Sequence, residues 1–335
     1  MRYLPINSVK ENAILATPIF NEKGDILLNA NVVLKRSYIN RLARMGYSGL
    51  YIYDEISKDI ELQELLPENL RIETVKSLKT LNLDACRVLA HSIVDELLKQ
   101  SSISVDMICV ASFDTATYIH SINVAVLSVI IGIGSGMGDK HLKLLSEAAL
   151  LHDIGKLGVN LEILNKKGTL TEEEMRIMRS HPTEGYNMVK DNMNISAVVK
   201  NAILSHHENE DGSGYPRGLI AEQIHPFAKI IHVCDVYDAL IANRVYREAV
   251  NPAEAIEYLM SHCWTLFDSN YVKKLLEYIS PYPTGITIEL SNGKHAIVTQ
   301  QSTENRVRPK VRVIETKEEI DLMVVLNLTI VKCLT

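Results

Sequence analysis

Apolar positions along this chain change their spacing three times, and each change predicts a different kind of structure. In residues 1–58 the runs are short. Ile14 to Phe20 and Ile26 to Leu28 flank the turn-forming Asn21-Glu22-Lys23-Gly24-Asp25, which predicts a hairpin. Arg36 to Met45 reads as a helix stopped by Gly46, with Leu50 to Tyr53 as a further strand. From 59 to 105 the spacing turns helical, as in Ala85, Val88, Leu89, Ile93, Leu97 and Leu98, after an early interruption at Pro67. This stretch is expected to link the first unit to the next and pack against it.

Residues 106–280 alternate long apolar stretches with short polar connections, the pattern of an all-α bundle. Thr171 with Glu174 forms a capping box that opens a helix, and Pro182 biases His181 towards a helix end. The pattern changes again at Pro281-Tyr282-Pro283. Ile286 to Leu290 and His295 to Thr299 alternate around Asn292-Gly293, a hairpin signal, and Pro309 to Glu315 and Met323 to Val331 supply further strand-like runs. The expected fold class is therefore multidomain: a central helical bundle between a small α+β unit (1–58) and a small β-rich unit (281–335).

Composition narrows this only slightly. With 335 residues, 47% hydrophobic and 23% charged, the chain has the make-up of a folded globular protein. A formal charge of −6 gives no general basic field for a DNA or RNA polymer or for an anionic membrane. An anionic substrate stays possible, because bound divalent cations reverse the sign locally. The longest apolar run, Ile122 to Gly134, contains Asn123 and Ser128 and is shorter than the roughly 20 residues of a membrane span. Five scattered cysteines without a C-x-x-C pair, and a start without a signal-peptide pattern, lead us to expect a reducing cytoplasm.

Candidate chemistry is concentrated in the helical region. His120, His152, Asp153, His181, His206, His207 and Asp235 recur at intervals of roughly 25 to 32 residues, mostly inside apolar stretches. A buried imidazole or carboxylate is costly unless something pairs with it. Seven such groups in one bundle, with no cysteine among them, point to nitrogen and oxygen ligation of metal. Adjacent side chains on a helix diverge by about 100°, so the pair His152-Asp153 suits two ions better than one, with the carboxylate bridging. The same holds for His206-His207. Lys156, three residues from Asp153, is placed to reach a metal-bound anion. Absence of thiolate argues against structural zinc; Fe or Mn suits such a site, and catalytic zinc stays open. His91, His141, His225, His262 and His295 read as ordinary hydrogen-bonded or surface histidines, as does His232 close to Asp235.

A second motif runs His206-His207-Glu208, then Asp211-Gly212-Ser213-Gly214-Tyr215-Pro216-Arg217-Gly218. Two glycines around Ser213 and then Pro216 suggest a tight loop beside the site. Tyr215 can offer a ring to a base and a hydroxyl to a phosphate. Arg217, Arg244 and Arg247 are candidate phosphate clamps, since guanidinium groups hold phosphate oxygens bidentately.

At these residues the chain resembles the HD-GYP family, a branch of the HD metal-dependent phosphohydrolases. The match runs from about Asp114 to Asp268. It includes Asp114-x-x-Thr117-Tyr118-x-His120-Ser121, HDIGK at 152–156, Ile163-Leu164-Asn165-Lys166, His181-Pro182-x-x-Gly185, HHE at 206–208, DGSGYPRGL at 211–219, and Asp235-Val236-Tyr237-Asp238-Ala239 with Arg244 and Tyr246. The resemblance implies a central HD-type bundle that hydrolyses cyclic di-GMP to pGpG, and in some members onward to GMP. It implies that the seven His and Asp residues are the ligands of two divalent ions, with Asp153 bridging, and that Lys156, Tyr215, Asp238 and Arg244 contact substrate.

Two departures stand out. Some family members carry a Glu at the position of Ala116, which helps hold a third ion, so two are expected here. Asn209-Glu210 replaces the Arg-Trp that often follows HHE, which adds negative charge near the mouth.

The expected chemistry is a binuclear phosphodiesterase in which two ions acidify a bridging water. Lys156 and Arg244 would stabilise the transition state, and Asp238 would orient substrate or carry a proton. Other readings stay open: cyclic GMP-AMP or a linear nucleotide as substrate, a cyclic-dinucleotide sensor, or a scaffold whose Gly-Tyr-Pro loop docks diguanylate cyclase domains. The role of the end units and the oligomeric state, a homodimer included, are left open by the sequence.

Overall fold

A computed structural model of the chain describes residues 1–20, 26–45, 47, 49–61, 65–100, 116–164, 166, 168–242 and 250–334. The Asn21–Asp25 turn, Gly46, Cys109, Asp114, Asn165, Arg244, Tyr246 and Arg247 lie outside them.

The first unit holds β1 (Arg2–Pro5), β2 (Ile14–Leu15), β3 (Ile19–Phe20), β4 (Ile26–Leu28), α1 (Arg36–Arg44) and β5 (Gly49–Tyr53). The run expected as one strand over Ile14 to Phe20 is two. β2 pairs with β5, while β3 pairs with β4, and Pro18 stands at the break. A proline has no N–H for a ladder, so the chain changes partner there. Leu15, Leu34, Ile39, Leu42, Leu50 and Ile52 close a small core of their own.

The helical region follows with α2 (Glu68–Lys79), α3 (Leu83–Leu98), α4 (Ala116–Gly134), α5 (Asp139–Leu151), α6 (Leu161–Leu164), α7 (Glu172–Met178), α8 (His181–Val189), α9 (Ala197–Ser205), α10 (Pro226–Ile241), α11 (Pro252–Ser261) and α12 (Ser269–Leu276). Several of their starts are capped by side chains. Asn82, Ser196, Asn251 and Asp268 each accept a backbone N–H of the first turn, and Thr171 with Glu174 completes its capping box. α4 runs through the middle, with Val124, Ala125, Leu127, Val129, Ile130 and Ile131 fully buried. Each Val, Leu or Ile among them contributes about 1.5–3 kcal/mol on burial. The apolar run Ile122 to Gly134 is thus a core helix, and among the described residues no helix is long and apolar enough to cross a membrane.

One expectation changes here. The 59–105 stretch is more than a link, because Leu70, Val75 and Leu78 of α2 and Cys86, Ala90, Ile93, Val94 and Leu97 of α3 belong to the same core as α4, α5 and α10. Helical spacing alone gave a surface; the partner for that surface lies some fifty residues downstream, in α5.

The last unit is a five-stranded sheet of order β10-β6-β7-β8-β9, from β6 (Thr287–Leu290), β7 (His295–Gln300), β8 (Lys310–Val313), β9 (Glu319–Asp321) and β10 (Ile330–Cys333). β6 and β7 form the hairpin read from Asn292-Gly293. Most of Met323 to Val331 is not strand. Arg308 donates to the carbonyls of Leu322, Val325 and Leu328 and holds that segment in turns.

The two end units meet. The Arg312 guanidinium bonds both carboxylate oxygens of Asp59 at 2.7 and 2.6 Å, also holding Glu319 and the Ile56 carbonyl, while Tyr3 N–H donates to the Gly285 carbonyl at 2.9 Å. The bond to Arg312 holds the Asp59 carboxyl down at about 2.

Glu147 of α5 is an exception to the apolar packing. Its side chain is 1% exposed and its Oε1 has no hydrogen bond among the described residues. Burial pushes its carboxyl up to about 7, opposed weakly by Arg87. The folded chain therefore keeps a proton that the unfolded chain releases above about 4.5, and stability falls as pH rises from there through 7. Glu147→Gln removes that loss. Its gain in melting temperature over the wild type is expected to grow between pH 5 and pH 8, by up to about 3 kcal/mol in stability. Circular-dichroism melts at the two pH values check this; an equal offset at both would refute it.

Candidate metal centre and its surroundings

Both adjacent ligand pairs sit just past the C-terminal end of a helix. His152 is the C-cap of α5 and His206 the C-cap of α9; Asp153 and His207 follow. His181, as its proline neighbour predicts, opens α8 three residues after the last residue of α7. Each of these three histidines uses its Nδ1 in the same way. His152 Nδ1 lies 2.7 Å from the Ala149 carbonyl, His181 Nδ1 2.8 Å from that of Met178, and His206 Nδ1 2.7 Å from that of Ile203. A carbonyl can only accept, so Nδ1 carries the hydrogen and each Nε2 keeps a bare lone pair in the neutral ring.

Those lone pairs converge. His181 Nε2 and His206 Nε2 are 3.2 Å apart, which two bare nitrogens tolerate only with a cation or a proton between them. On His206 a proton is disfavoured, since burial, then His207, His152 and His181, hold that imidazole well below its ordinary value. Burial does the same for His207 against the pull of Asp235.

Asp153 stands between two groups of rings. Its Oδ1 is 3.2 Å from His181 Nε2 and 3.9 Å from His206 Nε2, while its Oδ2 is 3.4 Å from His152 Nε2 and 3.6 Å from His120 Nε2. Asp235 spans the far side, with Oδ1 at 2.9 Å from His120 Nε2 and Oδ2 at 3.8 Å from His207 Nδ1. Burial would raise both carboxyls. Lys156 and His152 hold Asp153 far below the usual range, and His120, His207 and His152 do so for Asp235.

Donor atoms of Asp153, His181, His206 and His207 lie within 4.8 Å of one another, as do those of His120, His152 and Asp153, and those of His152, His206 and Asp235. All seven residues singled out in the sequence are thus brought together. Three tests favour a fit to divalent ions. His152 Nε2 and Asp153 Oδ1 are buried without an aligned hydrogen bond. The carboxylates of Asp153, Asp235 and Asp238 are all buried, while Lys156 is the cation at the cluster, at 2.5 Å from Asp153 Oδ2. An uncompensated buried charge is costly, so this donor set calls for further positive charge. The donors are all nitrogen and oxygen.

Asp238 has a different place from the one expected. Its Oδ2 accepts His120 Nδ1–H at 2.7 Å and its Oδ1 accepts Asn123 Nδ2–H at 2.8 Å, so both oxygens are engaged inside the bundle. It fixes the orientation of the His120 ring, as a carboxylate behind a candidate ligand would. Asn123 escaped the sequence reading, although its spacing of three from His120 puts both on one face of α4.

Arg217 is engaged within the loop. One guanidinium nitrogen bonds Ser205 Oγ at 2.5 Å and its backbone N–H bonds Glu208 Oε1 at 2.8 Å, so it braces the loop. The buried Glu208 takes Leu219 N–H with its other oxygen at 2.8 Å. His232 Nε2 bonds Asn209 Oδ1, whose amide bonds Ser213 Oγ. Glu210 pairs with Lys229 at 2.9 Å, a cation it shares with Asp268 at 3.4 Å. Of the clamps read from sequence, Arg244 and Arg247 lie outside the described residues.

The loop so held sets Tyr215 against the centre. Its ring stacks on His207, with centroids 4.8 Å apart and planes at 25°. Burial and the charges of Asp235 and Asp153 raise its hydroxyl. Gly214 is indispensable to this approach: a Cβ there would come within 2.3 Å of Asn209 N and 2.5 Å of the His207 carbonyl. Gly155 is as tightly placed, since a Cβ would meet the His181 carbonyl at 1.9 Å.

Comparison with known proteins agrees with this geometry. Residues 115–271 match the family model of the HD domain. Residues 115–271 thus carry an HD domain, with Gly214-Tyr215-Pro216 beside the cluster of candidate ligands. It is 35% identical over 229 residues to a cyclic di-GMP phosphodiesterase of Pseudomonas aeruginosa, covering 67% of this chain and 55% of that protein. Over 142 residues it is 42% identical to the cyclic di-GMP phosphodiesterase response regulator RpfG of Xanthomonas campestris, covering 42% of this chain and 38% of that one. A 3′3′-cGAMP-specific phosphodiesterase of Vibrio cholerae is 31% identical over 248 residues, covering 72% and 53%. The chain thus spans about half the length, or less, of these curated relatives. A solved HDG"Y"P protein of Bdellovibrio bacteriovorus shares the fold, with a TM-score of 0.55 at 19% identity over 82% of this chain and 97% of that one.

Two outcomes are expected. Asp153→Ala abolishes binding of divalent ions at both positions; elemental analysis finding two ions per chain in that variant would show that the carboxylate is dispensable. Asp238→Asn lowers metal affinity about 10- to 100-fold, as loss of such outer partners does elsewhere. Competition with a chromogenic chelator measures it, and unchanged affinity would remove Asp238 from behind His120.

Proposed function

We propose that the chain is a metal-dependent phosphodiesterase that hydrolyses cyclic di-GMP to pGpG, with GMP as a possible further product. The observation that carries this is Asp153, whose two oxygens face different histidine pairs, His181 with His206 and His152 with His120. That is the arrangement a shared carboxylate between two ions requires. His120, His152, Asp153, His181, His206, His207 and Asp235 would hold the ions, and the thiol-free donor set suits Fe or Mn. The chemistry such ions supply is acidification of water and neutralisation of charge on phosphoryl oxygens.

The chain's own residues do the rest. Lys156, its Nζ at the edge of the cluster, offers positive charge to a phosphate that replaces its bond to Asp153. Tyr215 closes one side of the centre and limits the approach of bulk water. Asp238 holds His120 in one tautomer. Names of the relatives support the substrate class: two are cyclic di-GMP phosphodiesterases. A cyclic GMP-AMP activity is the second reading, favoured by the Vibrio cholerae relative.

The test is anaerobic purification, reconstitution with Fe(II) or Mn(II), and chromatography of products from cyclic di-GMP and cyclic GMP-AMP. The expected result is conversion of cyclic di-GMP to pGpG that stops when the ions are chelated. Binding of both dinucleotides without cleavage, at full metal occupancy, would replace the enzyme with a sensor.

A further inference from the structure

A cavity of about 590 Å³ opens beside the metal centre, on the outer side of the Gly-Tyr-Pro loop. Its lining includes Glu172, Met175, Arg179, Thr183, Tyr215 and Pro216. The size lies within the usual range of small-molecule sites. Tyr215 belongs to both spaces: its ring stacks on His207, and Arg179 Cζ lies over the same ring, 5.6 Å from the centroid. Tyr215 thus stands between the cluster and the cavity, so a ligand whose phosphate reaches the cluster can extend past it into this space.

The charges there are available for a ligand. Arg176, also in the wall, is paired with Glu173 at 2.6 Å. Arg179 has no carboxylate within 4 Å among the described residues, and Glu172 has no cation. Apolar surface from Pro216 and Met175 suits a flat ring. The guanidinium fork matches two adjacent acceptors, as on the O6/N7 edge of guanine, and a carboxylate matches the donors N1–H and N2–H on its other edge. Adenine presents a donor at position 6 and an acceptor at N1, so it fits neither group.

We propose that this cavity is a guanine-selective base site, in which Arg179 reads the O6/N7 edge and Glu172 the opposite edge. The proposal rests on the reading of the chain as a nucleotide phosphodiesterase for its biological substrate, but its test does not depend on turnover. Arg179 then sets which base is accepted, while the reacting phosphate is handled elsewhere.

The experiment is calorimetric titration of the full chain, held free of metal with chelator, with cyclic di-GMP and with cyclic di-AMP. Wild-type protein is expected to prefer the guanine compound. Arg179→Ala should weaken cyclic di-GMP binding about tenfold and cyclic di-AMP binding less than twofold. Arg179→Lys, which keeps the charge but loses the fork, should lose the same discrimination. Arg179 is exposed, and circular-dichroism melts that match wild type show that the fold is kept. Equal losses for both dinucleotides would make Arg179 a plain phosphate contact and overturn the proposal, as would wild-type protein with no base preference. Selective binding by a metal-loaded chain that cleaves nothing would leave the base site standing and remove the phosphodiesterase.

Discussion

Everything at the centre depends on a hydrogen bond made three times, from a histidine Nδ1–H to the carbonyl three residues earlier. The final carbonyls of a helix have no partner within it. At the ends of α5 and α9 one of them is taken by the ring of the C-cap residue itself, and Met178, the last residue of α7, supplies its carbonyl to His181. The backbone thereby decides which nitrogen is bare and fixes each ring in place. The helix ends that do this also carry partial negative charge. Ring orientation and electrostatic attraction for a cation thus come from the same piece of local geometry.

Behind this stands a requirement for close approach. The HDIGK turn can lie against the start of α8 only because residue 155 has no side chain, and this brings Asp153 to His181. The Gly-Tyr-Pro loop folds back on His207 and Asn209 for the same reason at residue 214. Glu208 and Arg217 then tie the loop to the end of α9. Gly155 and Gly214 are positions of contact, and the His/Asp cluster is assembled where backbone touches backbone.

The sequence made the seven donors legible, because so many polar groups set in apolar helices require a shared partner to offset their burial. It also gave the helical bundle, the capping box at Thr171, the position of His181 and the hairpin at Asn292-Gly293. Direction was what it could not give. Asp238 and Arg217 are the right residue types near the right motif, yet one points at His120 and the other at Ser205, and such choices depend on neighbours distant in the chain. Arg179 carried no signal beyond standing two residues before His181. The membership of α2 and α3 in the main core, and the pairing of Arg312 with Asp59, were illegible for the same reason: helical periodicity names a face but never its partner.

The meeting of the first and last units has a consequence for how this protein can be taken apart. Asp59 and Arg312 stand 253 positions apart in the chain and yet close on one another. The helical region is therefore a long insertion held between the halves of a single clasp. Trimming either end would bare the face that the other half covers, so a transplant of the metal-binding bundle into another protein should carry both halves or neither.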